Sequence, residues 1–538
     1  MCLTRLVIYV TLTIIRGRTR RFGPLTGRYD VMAELQPAPP ETPETSLSKG
    51  RMGILGIVFF VVAVAAPLVG MTGAVPVASV LGNGAGVPGA YLLVGIILLL
   101  FSVGYAAMSQ HVTNAGAFFA YVGRGLGINV GVGSAFVSLM AYLTIQLAIF
   151  GFFGAVMGMQ MEAQFGIALP WWGWVLIAWA IVLILSVLAV DIGAKLLGVL
   201  LTLELLSLVI VAIAVFAKGG PEGINFQASF APSAVLAGGI GGTAGIALAF
   251  AFASYIGFEA TAIYGEESRE PKKTVPRATY TAIILIGVLF AFVTFAMVTA
   301  LGAEGVVDQI LERSSVDGEP LVDPAAVLFS IAAEYVGDWM ATVMSWLVLT
   351  SLFAGLLAFQ NSAARYFFAM GRAGVFSRRL DHTNRFGAPG NGSIAVSAVT
   401  LIVVVLFVAF GLDPVLNLFY WSSAIAVLAI IIVEILVSIS VITYFRRTKE
   451  DSRIWHTMIA PILATIGLAL GAYLLMSRFA LFAGTAAEDS DPTVQAWALN
   501  PLGWFLVLLP FIIFGIGCGV GALRRRAENT DAIADLVS

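Results

Sequence analysis

Apolar runs long enough to cross a bilayer recur along this chain from Gly53 to the C-terminus, and no other feature constrains its fold as tightly. A spanning helix needs about 20 mostly apolar residues to cover a hydrocarbon core about 30 Å thick. Twelve such spans are predicted, at about 54–80, 89–110, 130–158, 172–190, 194–217, 240–264, 278–301, 339–371, 393–411, 415–444, 457–477 and 501–522. The connections between them are too short for soluble domains. The expected fold class is therefore all-α integral membrane, with twelve transmembrane helices. Composition agrees: 59% of residues are hydrophobic and 11% charged, with a mean hydropathy of +0.96, whereas soluble domains carry about a quarter charged residues.

Residues 1–50 stand apart from this body. The apolar run from Leu6 to Ile15 is too short to span and is followed by Arg16, Arg18, Arg20 and Arg21. No small-residue cleavage site follows it, which argues against a signal peptide. Residues 37–48 read as a disordered cytoplasmic tail, and translation from Met32 is one reading of the N-terminus. Residues 51–522 then form one transmembrane domain, and 523–538 a short cytoplasmic tail.

Orientation follows from Lys and Arg in the loops. One side holds Arg124, Lys195, Arg269, Lys272, Lys273, Arg277, Arg372, Arg378, Arg379, Arg385, Arg446, Arg447, Lys449 and Arg453, together with Arg524, Arg525 and Arg526. The other holds Lys218, Arg313 and Arg478 among the acids Glu304, Asp308, Glu312, Asp317, Glu319 and Asp323. The asymmetry puts both termini in the cytoplasm of a multi-pass plasma-membrane protein, which demands an even number of spans.

Several function classes find no support. Two cysteines, Cys2 and Cys518, make no disulfide scaffold, and Cys518 reads as a small buried residue of span 12. The histidines His111, His382 and His456 are scattered, and no zinc, redox or phosphate-loop spacing is present. A net charge of −2 gives no basis for nucleic-acid binding.

Two spans are interrupted. Span 1 contains Pro67, Gly70, Gly73 and Pro76 in the string APLVGMTGAVP, and span 6 contains Ser254, Tyr255, Gly257, Phe258 and Glu259 in AFASYIGFEA. Gly and Pro are common in membrane helices, so one broken span says little. Two at corresponding places, five spans apart, point to a transporter site. Exposed N–H groups at a half-helix N-terminus attract a carboxylate, and exposed carbonyls attract an ammonium. Gly70, Met71, Thr72 and Gly73 can supply the first kind of contact, and Ala253, Ser254 and Tyr255 the second. Beside the break, Tyr255 and Phe258 are the first candidates for aromatic gates.

Four strings resemble the amino acid–polyamine–organocation permease superfamily: GMTG in span 1, TNAGAFFAYVGRGLG after span 2, GFEATAIYGEESREPKKTVPRA leaving span 6, and ARYFFAMGRAGVFSRRL leaving span 8. The last two are the most specific, because order, spacing and topological position agree. The resemblance covers about residues 50–480. It implies two inverted five-helix repeats, a 5+5 core with two further C-terminal helices, and alternating access at a site between spans 1 and 6. The break in span 1 departs from the family pattern by one extra residue between its glycines, which leaves the register of the carboxylate contacts open.

Charges inside spans cost about 2.5–3.5 kcal/mol each at mid-helix on insertion scales, so each needs a reason. Glu204 lies in the middle of span 5, where some relatives resembling this segment hold a lysine associated with proton coupling. An acid there can serve the same end, or be a neutral group hydrogen-bonded between helices. Glu259 is read as a brace for the span 6 break. Glu434 in span 10 has no assigned role beyond packing. Gln146, Gln360 and Asn361 are expected to face the interior. The run from Glu266 to Arg277 is a solvated loop or a cytoplasmic gate, with Arg365 and Arg372 as its partners.

The expected activity is secondary transport of amino acids or related amines, as proton symport or as exchange, or of a polyamine, GABA or ethanolamine type. A small molecule and the lipid bilayer are the expected partners, with the chain a monomer or homodimer. No enzyme activity and no cofactor are expected, a proton or ion gradient being the driving force. A membrane-embedded enzyme would need clustered catalytic groups at one membrane face, and a sensor a long signalling tail.

Overall fold

The computed structural model describes residues 53–112, 118–188, 192–239, 242–263, 268–316, 318–319 and 321–527. The N-terminal tail and most of the C-terminal one fall outside them. Eleven stretches among the described residues are helical, long and apolar enough to cross a membrane. Two isolated β-bridges are the extended pairings among the described residues. The count is eleven rather than twelve because one stretch, Ile54–Ser109, is 56 residues long and takes in both of the first two predicted spans.

In chain order the helices used below are α1 (Ile54–Ala65), α2 (Val87–Ser109), α3 (Phe118–Leu126), α4 (Ile128–Phe165), α5 (Trp171–Leu188), α6 (Ile192–Lys218), α7 (Ala244–Tyr255) and α8 (Ala260–Ile263). There follow α9 (Pro271–Leu301), α10 (Val306–Ser314), α11 (Ala325–Tyr335), α12 (Asp338–Arg372), α13 (Gly390–Ala409), α14 (Tyr420–Thr448), α15 (Ala460–Ser477), α16 (Phe479–Ala483) and α17 (Pro501–Ala527).

The first break has a local cause. Proline disfavours α geometry in the residue before it and has no N–H to donate. Ala66 accordingly sits in the left-handed region at φ 42, ψ 67, and Pro67 restarts the helix behind it. The chain then widens into a π-turn over Gly70–Ala74, with the Val75 N–H donating to Gly70 O. The interruption is therefore at Ala66–Pro67, one turn earlier than the glycines suggest. The second break follows α7: Ile256 is extended at ψ 129, and Gly257 takes φ 113 before α8 begins.

Small residues set the close crossings, as is usual in membrane bundles. A Cβ on Gly133 of α4 would lie 2.6 Å from Cys518 Sγ of α17, and one on Gly245 of α7 would lie 2.7 Å from the Leu474 side chain of α15. Cys518 is half-buried at such a crossing rather than fully enclosed. Two elements are too short to span: α10 and the apolar α11 form a cap between α9 and α12, pinned by Arg313 Nη1 donating to Ser330 Oγ (3.1 Å) and Glu334 Oε2 (3.3 Å). The segment 478–500 between α15 and α17 is also ordered. Arg478 Nη1 donates to Pro492 O (2.9 Å) and Thr493 O (3.1 Å), and Asn500 N donates to Thr485 O (3.0 Å).

Candidate functional site

The two breaks meet. Gly257 approaches α1 so closely that a Cβ there would overlap the Val64 side chain, and its φ of 113 is one that side chains rarely adopt. Beside this contact is a cavity of about 70 Å³. Its walls are Val64, Ala65, Ala66, Val69, Gly70 and Ala74 from the first broken span, and Phe250, Ala253, Ser254 and Ile256 from the second. Ile145 and Ile149 of α4, Phe359 of α12, Phe419 in the turn leading into α14, Ser423 of α14 and Phe482 of α16 complete it. A larger surface depression of about 410 Å³ lies at Asn225, Gln227, Ala303 and Glu304. It shares no residue with the breaks, so the smaller cavity is the candidate site.

The lining contains no Asp, Glu, Lys, Arg or His. Its polar surface comes from two serines and from backbone at the breaks. Ser254 and Ile256 carbonyls receive no backbone N–H among the described residues, which leaves them to attract a donor. Phe419 is delivered to the wall by the start of its helix: Asp413 Oδ1 accepts from Val415 N and Leu416 N at 2.7 Å each, a side-chain N-cap ahead of Pro414.

Of the sequence candidates, Gly70, Ala253 and Ser254 line the cavity and the others do not. Met71 is fully buried away from it. Thr72 Oγ1 donates back to Leu68 O (2.8 Å) within its own helix. A Cβ on Gly73 would touch the Phe152 ring at 3.4 Å, and that ring stacks on Phe419 at 5.0 Å. Tyr255 points away, its hydroxyl donating to Tyr91 O (3.0 Å) between Gly95 and Gly287, where a Cβ on either glycine would come within 2.6 Å. Phe258 packs edge-on against Phe101 at 5.9 Å. The rings on the cavity are instead Phe250, Phe359, Phe419 and Phe482, which the sequence did not single out.

The two carboxylates near the breaks bridge helices. Glu204 Oε1 of α6 accepts from Leu68 N (2.7 Å) and from Ser351 Oγ of α12 (2.9 Å). Leu68 is in the first turn after Pro67, so Glu204 satisfies a donor that the restarted helix leaves orphaned. Glu259 Oε2 accepts from Gly257 N (2.8 Å), and its Oε1 from the Tyr142 hydroxyl of α4 (2.8 Å). The Tyr105 hydroxyl donates to Glu259 O (2.7 Å). Glu434 is buried, and its Oε2 has no hydrogen-bond partner among the described residues.

Farther off, Gln146 Nε2 donates to Gln360 Oε1 (2.7 Å), and Gln360 Nε2 to Ser393 O (2.8 Å) and Ser397 Oγ (2.9 Å). Ser186 Oγ donates to Asn361 Oδ1 (2.8 Å). These polar groups tie α4, α5, α12 and α13 together instead of facing the cavity. Arg365 Nη1 donates to Asn361 O (3.1 Å) of its own helix. Glu266, named with it as a gate, lies outside the described residues.

A many-helix membrane protein whose two interrupted spans face each other across a small cavity has the architecture of a secondary transporter. The chain belongs to the amino acid permease family, which it matches over residues 56–529. It is 26% identical over 352 residues to the branched-chain amino acid permease of Lactococcus lactis, an alignment covering 60% of this chain and 69% of that one. It is 26% identical to the histidine permease of Saccharomyces cerevisiae, over 52% of this chain and 46% of the yeast protein. With cationic amino acid transporter 7, chloroplastic, of Arabidopsis thaliana the identity is 25%, over 53% and 48%. The chain thus aligns with about half the length of the yeast and plant relatives.

Proposed function

We propose that this protein carries neutral amino acids with apolar side chains across the plasma membrane by alternating access, as a secondary active transporter and not an enzyme. The observation that carries the reading is the cavity between the two breaks. Its carbonyls at Ser254 and Ile256 suit the ammonium of an amino acid, and its side-chain walls are aliphatic and aromatic. A polyamine would bring a second ammonium, and no acid in the lining meets one. The name of the Lactococcus relative, a branched-chain amino acid permease, points the same way.

The stretch Ile54–Ser109 is too long for one crossing. With the non-helical Gly82 and positive φ at Gly84 as its turn, it makes two, giving twelve spans, with both termini cytoplasmic on the Lys- and Arg-rich side. Glu204 is the proposed proton-coupling group, making the cycle a proton symport. When ionised it holds the N-terminal end of the restarted helix through Leu68. A proton taken from outside cancels that charge, loosens the hold, and is released inside after the helix has moved.

Uptake by proteoliposomes across a panel of labelled amino acids and polyamines, with and without a pH gradient, tests this. Accumulation of leucine or valine in response to an acidic exterior is expected. Transport of polyamines or lysine in preference to leucine overturns the substrate reading, and gradient-independent exchange overturns the symport.

A further inference from the structure

Phe482 is an odd member of the cavity wall. It comes from α16, in the segment joining the last two spans, and yet it reaches the space between the two broken ones. There it meets Phe250 edge-on, with ring centroids 4.4 Å apart and planes at 82°. Both rings are 2% exposed. A few residues further on, the same segment presents Glu488, Asp489 and Asp491 to solvent, and the Thr493 hydroxyl and N–H hold the Asp491 carboxyl below its ordinary range. The segment thus runs from the aqueous surface to the cavity wall with Phe482 at its inner tip.

Its internal bonds hold it together as a unit. The Arg478 side chain ties its start to its return limb at Pro492 and Thr493. Ala487 N donates to Ala498 O (3.1 Å), and Ala486 bridges Leu499. Directly after α16 is Gly484, at φ 62, and the Thr485 N–H donates back across it to Ala480 O (3.0 Å).

We propose that the 478–500 segment is a lid on the substrate cavity, and that Phe482 closes against Phe250 over a bound amino acid. Resting on the transport reading above, this makes Phe482 a positioning residue for the apolar side chain of the substrate. The closed edge-on pair excludes water from the outward side of the cavity, and parting the two rings opens it.

The test uses the full chain in intact cells, with Cys2→Ser and Cys518→Ser removing the native thiols. Phe482→Cys is treated with a membrane-impermeant methanethiosulfonate, with Val494→Cys, 73% exposed, as the positive control. The expected result is labelling of Phe482→Cys from outside without substrate, slowed at least about ten-fold by saturating leucine. Phe482→Ala is expected to raise the KM for leucine about ten-fold, the scale of one lost aromatic contact with its burial, while Phe482→Leu restores most of it. A silent Phe482→Cys beside a labelled control, or an unchanged KM in Phe482→Ala, overturns the lid. Labelling needs no transported substrate. If Phe482→Cys labels but leucine neither protects nor is carried, the lid stands and the substrate reading falls.

Discussion

Replacing Glu204 by Gln tests the coupling scheme most directly. The amide keeps the size of the side chain and an oxygen able to accept from Leu68 N and Ser351 Oγ, now 2.7 and 2.9 Å away. What it removes is the charge. A hydrogen bond to a charged group contributes about 1.5–3 kcal/mol and a neutral one about 0.5–1.5, so each bond weakens by about 1 kcal/mol. Two bonds give about 2 kcal/mol, or about thirty-fold in the equilibrium between the state that makes them and one that does not. The variant should therefore behave as if permanently protonated. In proteoliposomes loaded with leucine, counterflow should persist, whereas accumulation driven by an acidic exterior should vanish. Wild-type uptake should rise as the outside is acidified and the variant's should stay flat. If Glu204→Gln still concentrates leucine in response to the gradient, the proton is carried elsewhere and Glu204 is a structural cap.

Gly257→Ala forces a side chain into φ 113 and onto Val64; strain of about 1–3 kcal/mol and overpacking of similar size should lower the melting temperature in detergent and abolish uptake, and an unchanged transition refutes the close approach. Glu259→Ala leaves Gly257 N–H and the Tyr142 hydroxyl unpartnered, costing about 1–3 kcal/mol each, and Glu259→Gln should recover most of the loss in the same melting assay. Gln360→Leu breaks the links to Gln146, Ser393 and Ser397; intramembrane bonds average about 0.6 kcal/mol, so a small drop in melting temperature with leucine KM unchanged is expected, and a shifted KM contradicts a scaffold role. At the surface, hydrogen bonds from Arg453 hold the Asp451 carboxyl below its ordinary range. That contribution is present at neutral pH and is lost as pH falls through the carboxylate range. Asp451→Asn should therefore cost under about 1 kcal/mol at pH 7, since Arg453 is half exposed, and nothing in strong acid; a difference that grows on acidification contradicts the pairing.

Hydropathy located the membrane stretches to within a few residues, because a bilayer demands long apolar runs whatever the tertiary packing. It missed α10, which is short and polar, and α11, which is apolar but too short to span, and it began α9 late. Pro271 at the first helical position, right after Glu270, starts that helix well outside its apolar run. The break in the first span was legible from Pro67, Gly70, Gly73 and Pro76 together. The stronger signal was Ala66–Pro67, since proline acts on the residue before it. Gly70, Ala253 and Ser254 line the cavity, and the strings pointed to them because a break exposes backbone wherever it occurs. Side-chain direction could not. Whether Tyr255 faces the cavity or threads between Gly95 and Gly287 depends on how α2, α7 and α9 rotate against one another. Phe482 was invisible for a further reason: it is far in sequence from both breaks and comes from a segment with no motif.

The hydrogen bonds also divide the molecule by stiffness. Tyr91, Ser254 and Tyr255 stitch α2 to α7, and Thr261 and Thr279 join α8 to α9. Gln146, Ser186, Gln360 and Ser393 stitch α4, α5, α12 and α13. Between these two bodies the cavity region is mostly hydrocarbon on hydrocarbon, a surface with no directional preference that can slip at small cost. Two side-chain hydrogen bonds flank the cavity, from Leu68 N–H to Glu204 and from the Tyr142 hydroxyl to Glu259, and each ends on a carboxylate. A hydrocarbon joint pinned at two carboxylates slides only as those pins give way.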